Sequence, residues 1–92
     1  MLKREPSPFL EFNPHSLLKI EILNSHSFSL SKEIVEDIIR FPDKIEDGYG
    51  DRLIAQRNLD DTHVLRVVYE MKQEKNLIIT VYPGRRSRYE KD

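Results

Sequence analysis

The spacing of apolar residues changes along the chain, and this change predicts an α+β domain. Between residues 31 and 41, Ile34, Val35, Ile38 and Ile39 recur at helical spacing, with charged residues between them. This segment predicts an amphipathic helix that covers a sheet, and Pro42 prevents its continuation. From residue 43 onwards the period is two, which predicts four strands with polar turns between them, at residues 43–46, 52–59, 63–71 and 76–82. The last strand is expected to stop at Pro83-Gly84.

The segment before this helix carries two competing signals. Residues 9–12 predict a short edge strand, and the Asn13-Pro14 pair resembles a helix start, with an N-cap followed by a residue that needs no donor. However, Leu18, Ile20 and Ile22 alternate with charged residues, as they would in a strand. We predict a helix because the capping chemistry agrees with it, and a strand over residues 15–23 remains the alternative.

The final hairpin has a register that the sequence predicts. A tight turn centred on Gln73-Glu74 would place Val68 opposite Ile79. The face expected beneath the helices then carries Val64, Arg66, Val68, Leu77, Ile79 and Val81. The opposite face carries Leu65, Val67, Tyr69, Ile78, Thr80 and Tyr82. Both faces are largely apolar, which is typical of central strands.

The 92 residues are enough for one domain, which we divide into an N-terminal arm (1–7), an α+β domain (8–84) and a basic C-terminal tail (85–92). Without cysteine, neither a disulfide nor a thiolate metal site is possible. No signal peptide and no run of about 20 apolar residues is present. We therefore expect a cytoplasmic protein that does not enter a membrane.

Charge is distributed unevenly, although the net charge is only -1. Residues 1–51 carry six Lys/Arg against ten Asp/Glu, whereas residues 52–92 carry nine against six. Strong nucleic-acid binders are usually basic overall, so the whole-chain balance argues against one. An anion-binding surface, if present, is expected at residues 84–89, where three arginines cluster.

Arg66 is the first candidate for chemistry, because a guanidinium within an apolar strand must find a partner. One interpretation is a structural ion pair with Glu36 or Asp37 of the helix. The other is a phosphate-binding arginine at the edge or end of the sheet.

The tail and His15 are the other candidates. Arg85, Arg86 and Arg88 could contact phosphates while Tyr82 or Tyr89 stacks on a base; the alternative is a solvated basic tail. His15, at a helix start, is either a packed residue or a general base or acid. The three histidines have no metal-ligand spacing, and we predict neither a metal nor a cofactor.

The order of several short motifs resembles a known family. These are residues 12–16, 41–43, 66–69 and 79–83, followed by arginine and a late tyrosine. They resemble the small prokaryotic domain-of-unknown-function family numbered four-two-five-eight, which is similar to RelE/ParE and BrnT-type toxin domains. The resemblance covers about residues 9–89. It implies two N-terminal helices packed on a curved antiparallel sheet of about four strands, as in RelE.

The resemblance also implies a function, which is metal-independent RNA cleavage by a toxin. Arg66 would be the strand arginine, Arg85 or Arg86 the phosphate clamp, and Tyr89 the stacking or proton-transfer residue. His15 matches an early histidine of the family. The expected partners are RNA and a small antitoxin protein. Because the chain lacks the basic charge and the lysine pairs of such toxins, the alternative is a non-catalytic protein-interaction module of a prokaryotic complex or mobile element. The oligomeric state is not predicted.

Overall fold

A computed structural model describes residues 9–90, so the predicted arm at residues 1–7 lies outside the described part of the chain. The elements are β1 (Leu10–Phe12), α1 (Pro14–Ser25), α2 (Lys32–Arg40), β2 (Lys44–Asp47), β3 (Arg52–Asn58), β4 (His63–Met71), β5 (Asn76–Arg85) and α3 (Arg86–Tyr89). No helix within residues 9–90 is long and apolar enough to cross a membrane.

Both long helices begin with an N-cap residue, of which the sequence predicts Asn13 but not Ser31. At the start of α1, the Asn13 side chain accepts a hydrogen bond from the Ser16 backbone N–H at 2.8 Å, and Pro14 occupies the first turn. Ser31 caps α2 in the same way through the backbone N–H of Ile34, at 3.2 Å. The helix prediction for residues 15–23 is therefore confirmed, because capping chemistry decides the start of the segment.

The apparent strand alternation in α1 has a simple explanation in the structure. Ile20 and Leu23 are buried against the sheet, whereas Leu18 is 53% exposed and Ile22 is 40% exposed. These two side chains lie outside the apolar side of the helix and face away from the core. Their presence in the sequence therefore imitates a period of two without any strand being present.

The five strands within residues 9–90 form one mixed, open sheet in the order β1-β5-β4-β3-β2. Strands β2 to β5 are antiparallel neighbours, and β1 pairs with β5 in parallel through Leu10↔Asn76 and Phe12↔Ile78. The prediction of an α+β fold is confirmed, but the expected antiparallel sheet of about four strands is corrected to five strands with one parallel pair. Sequence spacing could not reveal that pair, because its two strands lie more than 60 residues apart.

The helices cover the face of β4 that carries Leu65, Val67 and Tyr69, each of which is fully buried. This reverses the prediction, which placed Val64 and Val68 beneath the helices. We call the face that carries Leu65 the helix-covered face, and the face that carries Arg66 the second face. The alternation within β4 was predicted correctly, but apolar residues on both sides gave no basis for choosing between them.

A β-bulge changes the register of the final hairpin. Next to the turn, Tyr69 pairs with Ile78, in agreement with the predicted turn centre. One residue further from the turn, Val68 pairs with Thr80 rather than with Ile79. One extra residue in β5 therefore shifts the remaining pairs. As a consequence, Ile78 and Val81 both enter the main core, although an uninterrupted strand would place them on opposite faces.

Strand β5 continues through Pro83 and Gly84 to Arg85, beyond the predicted stop. At Pro83, β5 has a neighbouring strand on one side only. That neighbour is β4, because β1 pairs only with residues 76–78 of β5. A proline is tolerated at such an edge because its missing N–H removes no ladder hydrogen bond. This continuation carries the chain along the full length of β4 before α3 begins.

Candidate functional site

Arg66 lies at the centre of the second face, where it is only 5% exposed. Each of its three nitrogens donates a hydrogen bond. Nε donates to the Tyr82 hydroxyl at 2.9 Å, Nη2 to Glu46 Oε1 at 2.9 Å, and Nη1 to Gln56 Oε1. The neighbouring strands β2, β3 and β5 thus supply one acceptor each, and these bonds engage three of the five N–H groups of the buried guanidinium.

The predicted structural ion pair of Arg66 with Glu36 or Asp37 is wrong. Both acids lie on α2, on the other side of the sheet, and Asp37 instead pairs with Arg57 at 2.8 Å. The partner of Arg66 is Glu46 of β2. The error follows directly from the reversed faces, since α2 packs against the helix-covered face.

The carboxylate of Glu46 is held in its charged form. The hydrogen bond from Arg66 is the largest influence and lowers the pKa of Glu46; Lys44, whose Nζ lies 3.3 Å from Glu46 Oε2, lowers it further. Burial opposes the charge of Arg66, but its hydrogen bonds to Tyr82 and Glu46 prevail and raise its pKa. The site is therefore a fixed, alternating arrangement of charges at neutral pH.

Two tyrosines flank the guanidinium. The Arg66 Cζ lies 4.2 Å from the ring centroid of Tyr89 and 5.7 Å from that of Tyr82. Cations at such distances are attracted by the ring electrons. Three of the residues predicted from the sequence, Arg66, Tyr82 and Tyr89, thus lie together on the second face.

His15 reaches the same region from the start of α1. Its Nε2 lies 3.1 Å from the Thr80 hydroxyl oxygen, and the imidazole is exposed. Thr80 pairs with Val68, and Tyr82 pairs with Arg66, so Thr80 and Tyr82 point to the same face two residues apart. That separation is about 6.6 Å along a strand. A line of His15, Thr80, Tyr82 and Arg66 therefore follows β5.

The three tail arginines are not brought to this line. Arg85 is exposed and pairs with His63 at the end of the sheet. Arg86 donates to Glu90 Oε1 at 2.8 Å and to the Asp61 carbonyl at 3.1 Å. Arg88 is exposed, with its Cζ 5.5 Å from the Tyr89 ring centroid. Their predicted phosphate contacts stay predictions.

Several residues of the site were missed by the sequence reasoning, namely Lys44, Glu46, Gln56 and Thr80. A usable signal existed for Gln56, because a glutamine in the middle of an apolar strand, like an arginine in the next one, needs a partner. Glu46 gave no such signal, since an acid in a short strand is ordinarily solvated. Within residues 9–90, no three His, Asp or Glu residues converge into a group that could hold a metal ion.

The fold and site define a class of protein, an α+β domain whose mixed sheet carries helices on one face and a buried, tyrosine-flanked arginine on the other. The chain belongs to the family described as "domain of unknown function (DUF4258)", whose model matches residues 26–83. The match includes Arg66 and Tyr82 but neither His15 nor α3. No curated protein and no solved structure matches the chain.

Proposed function

We propose that this chain is a metal-independent endoribonuclease of the toxin type, with its active site on the second face along β5. The observation that carries the proposal is the line of His15, Thr80, Tyr82 and Arg66. A proton-transfer group, a hydroxyl and a guanidinium are the groups that cleavage of an RNA phosphodiester needs when no metal takes part.

The reaction is a transesterification within RNA. His15 takes the proton of a 2′-hydroxyl, whose oxygen forms a bond to the adjacent phosphorus. Arg66 stabilises the extra negative charge on the phosphorane. The bond from phosphorus to the 5′-oxygen then breaks, and Tyr82 donates its proton to that oxygen. The products are a 2′,3′-cyclic phosphate and a 5′-hydroxyl, and water returns the protons to their starting positions.

The spacing of the groups supports this assignment. Thr80, whose hydroxyl contacts the His15 ring, lies two positions from Tyr82 along β5, so a base and an acid can stand on opposite sides of one phosphate. The hydrogen bond from Arg66 Nε leaves the hydroxyl proton of Tyr82 available for donation.

The test uses purified protein, a single-stranded RNA and a chelator. We expect cleavage that leaves 2′,3′-cyclic phosphate ends, detected by mass spectrometry, and no cleavage where a 2′-deoxynucleotide replaces the attacking residue. His15→Gln should lower the rate at least about a hundredfold, because it removes the general base. His26→Gln is the matched control, since His26 is also exposed but lies at the far end of α1.

The same variants can be compared in a bacterial host. Expression of the wild type should arrest growth, and His15→Gln should relieve the arrest without loss of folded protein. If the wild type leaves RNA intact in both settings, the proposal fails. Full activity in His15→Gln would remove the histidine from the mechanism.

The alternative is a non-catalytic module that binds a protein partner such as an antitoxin. The observation that favours it is that every nitrogen of Arg66 already donates to an acceptor within the chain. In that case Arg66 is a structural residue and RNA is not bound. Salt-dependent RNA binding by the isolated chain would contradict this alternative.

A further inference from the structure

The end of the described chain lies back over the second face. The Tyr89 ring is 4.2 Å from the guanidinium carbon of Arg66, and the Tyr89 carbonyl accepts a hydrogen bond from Lys44 Nζ at 2.7 Å. The Gln56 side-chain amide also points to this carbonyl, at 3.5 Å. Residues 86–90, which we call the tail cover, thus place one aromatic ring and one oxygen on the site, and leave Arg66 almost unexposed.

Gly84 is the residue that permits this contact. A Cβ at position 84 would lie 2.3 Å from Tyr89 Cε2 and 2.6 Å from Cδ2, far inside the distance at which such atoms can approach. Gly84 does not have a positive φ, so the backbone itself does not require glycine here. The missing side chain makes room for the tyrosine ring.

The tail cover is held by few contacts. Helix α3 has four residues, none of them buried, and a helix this short is not stable by itself. Apart from the contacts of Tyr89, its hydrogen bonds to the sheet domain include those from the Arg86 backbone N–H to the Thr62 carbonyl, at 2.9 Å, and from the Arg86 side chain to Asp61. Release of the segment would break these contacts but no pairing between strands, because the pairing of β5 with β4 ends at Arg85.

We propose that the tail cover occupies the position of one nucleotide and closes the site until single-stranded RNA displaces it. The inference rests on the proposed function. The Tyr89 ring lies on Arg66 as a nucleobase would, because bases stack on guanidinium planes as aromatic side chains do. Its carbonyl meets Lys44 and Gln56, whose N–H groups would otherwise donate to a phosphate or base oxygen. Displacement exposes the Arg66 plane and these donors together.

The inference predicts that opening the tail cover strengthens RNA binding. Gly84→Ala should force the ring away, and Tyr89→Ala should remove it. We expect both variants to bind a fluorescent, non-cleavable 2′-O-methyl RNA hexamer about tenfold more tightly than the wild type, as expected when a competing closed state is lost. Tyr49→Ala is the matched control, because Tyr49 is 91% exposed and lies in the turn between β2 and β3.

A second measurement detects opening of the tail cover in the absence of RNA. Trypsin should cut after Arg86 and Arg88 faster in Gly84→Ala than in the wild type, whereas in the Tyr89→Ala background Gly84→Ala should have no further effect. The two substitutions act on the same contact, so their effects on RNA binding should likewise not add.

The outcomes separate the inference from the proposed function. If Gly84→Ala and Tyr89→Ala bind RNA no more tightly than the wild type, and the wild type cleaves RNA, the tail-cover inference is wrong. The proposed ribonuclease function is then unaffected. If neither the wild type nor an opened variant, verified by trypsin, binds or cleaves RNA, the proposed function fails and the inference fails with it. Tighter binding in both variants, with Tyr49→Ala unchanged, supports the inference.

Discussion

The contact between Arg66 and Glu46 should be strongly coupled, and a double-mutant cycle measures this coupling. Arg66 is almost fully buried, whereas the Glu46 side chain is 41% exposed. A hydrogen bond between charged groups contributes about 1.5–3 kcal/mol to stability, and partial exposure of the acid reduces this to about 1–1.5 kcal/mol. Glu46→Ala should lower the free energy of unfolding by that amount.

Substitution of Arg66 lowers the free energy of unfolding for a different reason. Arg66→Met removes the charge together with its need for partners, but leaves the buried Gln56 oxygen without its donor, which costs about 1–3 kcal/mol. Once Arg66 is gone, Glu46 keeps its exposed ion pair with Lys44, whose loss costs little. The double variant should therefore be as stable as Arg66→Met alone, with a coupling energy of about 1–1.5 kcal/mol.

Equilibrium unfolding in urea, followed by circular dichroism, gives the four free energies. A control cycle on Asp37 and Arg57 uses a pair of similar length, 2.8 Å, in which the side chains are 54% and 27% exposed. Its coupling energy should be about 0.5 kcal/mol, and helix propensity cancels within the cycle. Equal coupling in the two cycles would refute the argument that burial of Arg66 determines the strength of its contact.

Two further predictions concern stability. Arg66 lowers the pKa of Glu46 in the folded chain, so its contribution is fully present above about pH 4.3, the value for an unfolded glutamate, and is lost as the pH falls through the folded pKa. The urea midpoint of the wild type should therefore fall more between pH 5 and pH 3 than that of Glu46→Gln, and parallel curves would contradict this. Ile39→Ala, at a fully buried position of α2, should lower the free energy of unfolding by about 2–5 kcal/mol. Ile22→Ala, at a half-exposed position of α1, should change it by less than about 1 kcal/mol. Similar losses for the two variants in urea unfolding would show that Ile22 belongs to the core.

The elements that local chemistry determines were predicted correctly. Asn13 and Pro14 start α1 because the side chain of the first and the ring of the second suit a helix N-terminus in any context. The turn centre at residues 73–74 is also correct next to the turn, where Tyr69 pairs with Ile78. These features depend on residues within one turn of each other, which a sequence displays directly.

Features that depend on distant parts of the chain could not be predicted. The side of β4 that the helices cover is one example, because Leu65 and Val64 are equally apolar and both are fully buried. The bulge in β5 is another, since nothing about Ile79 distinguishes an extra residue from a paired one. The wrong face then led to the wrong acid for Arg66. In the candidate site, Arg66, Tyr82 and Tyr89 were therefore predicted, whereas the acceptors Glu46 and Gln56 were missed.

The three acceptors of Arg66 also indicate where a phosphate would enter. Gln56 is 2% exposed and Tyr82 is half-buried, so the bond to Glu46 is the one that opens most easily toward solvent. In the proposed reaction, a phosphate would therefore replace the Glu46 carboxylate at Nη2, next to Lys44, while Nε stays on Tyr82.

This exchange makes Glu46 a competitor of RNA. Glu46→Gln removes the charge but keeps the shape, and should strengthen binding of the 2′-O-methyl hexamer by about 1 kcal/mol, or about fivefold, because a neutral amide holds the guanidinium less tightly than a carboxylate does. Glu36→Gln is the control, since that acid lies on α2 across the sheet. Weaker binding in Glu46→Gln would mean that the carboxylate orients Arg66 for its ligand, and entry from the β2 side would have to be abandoned.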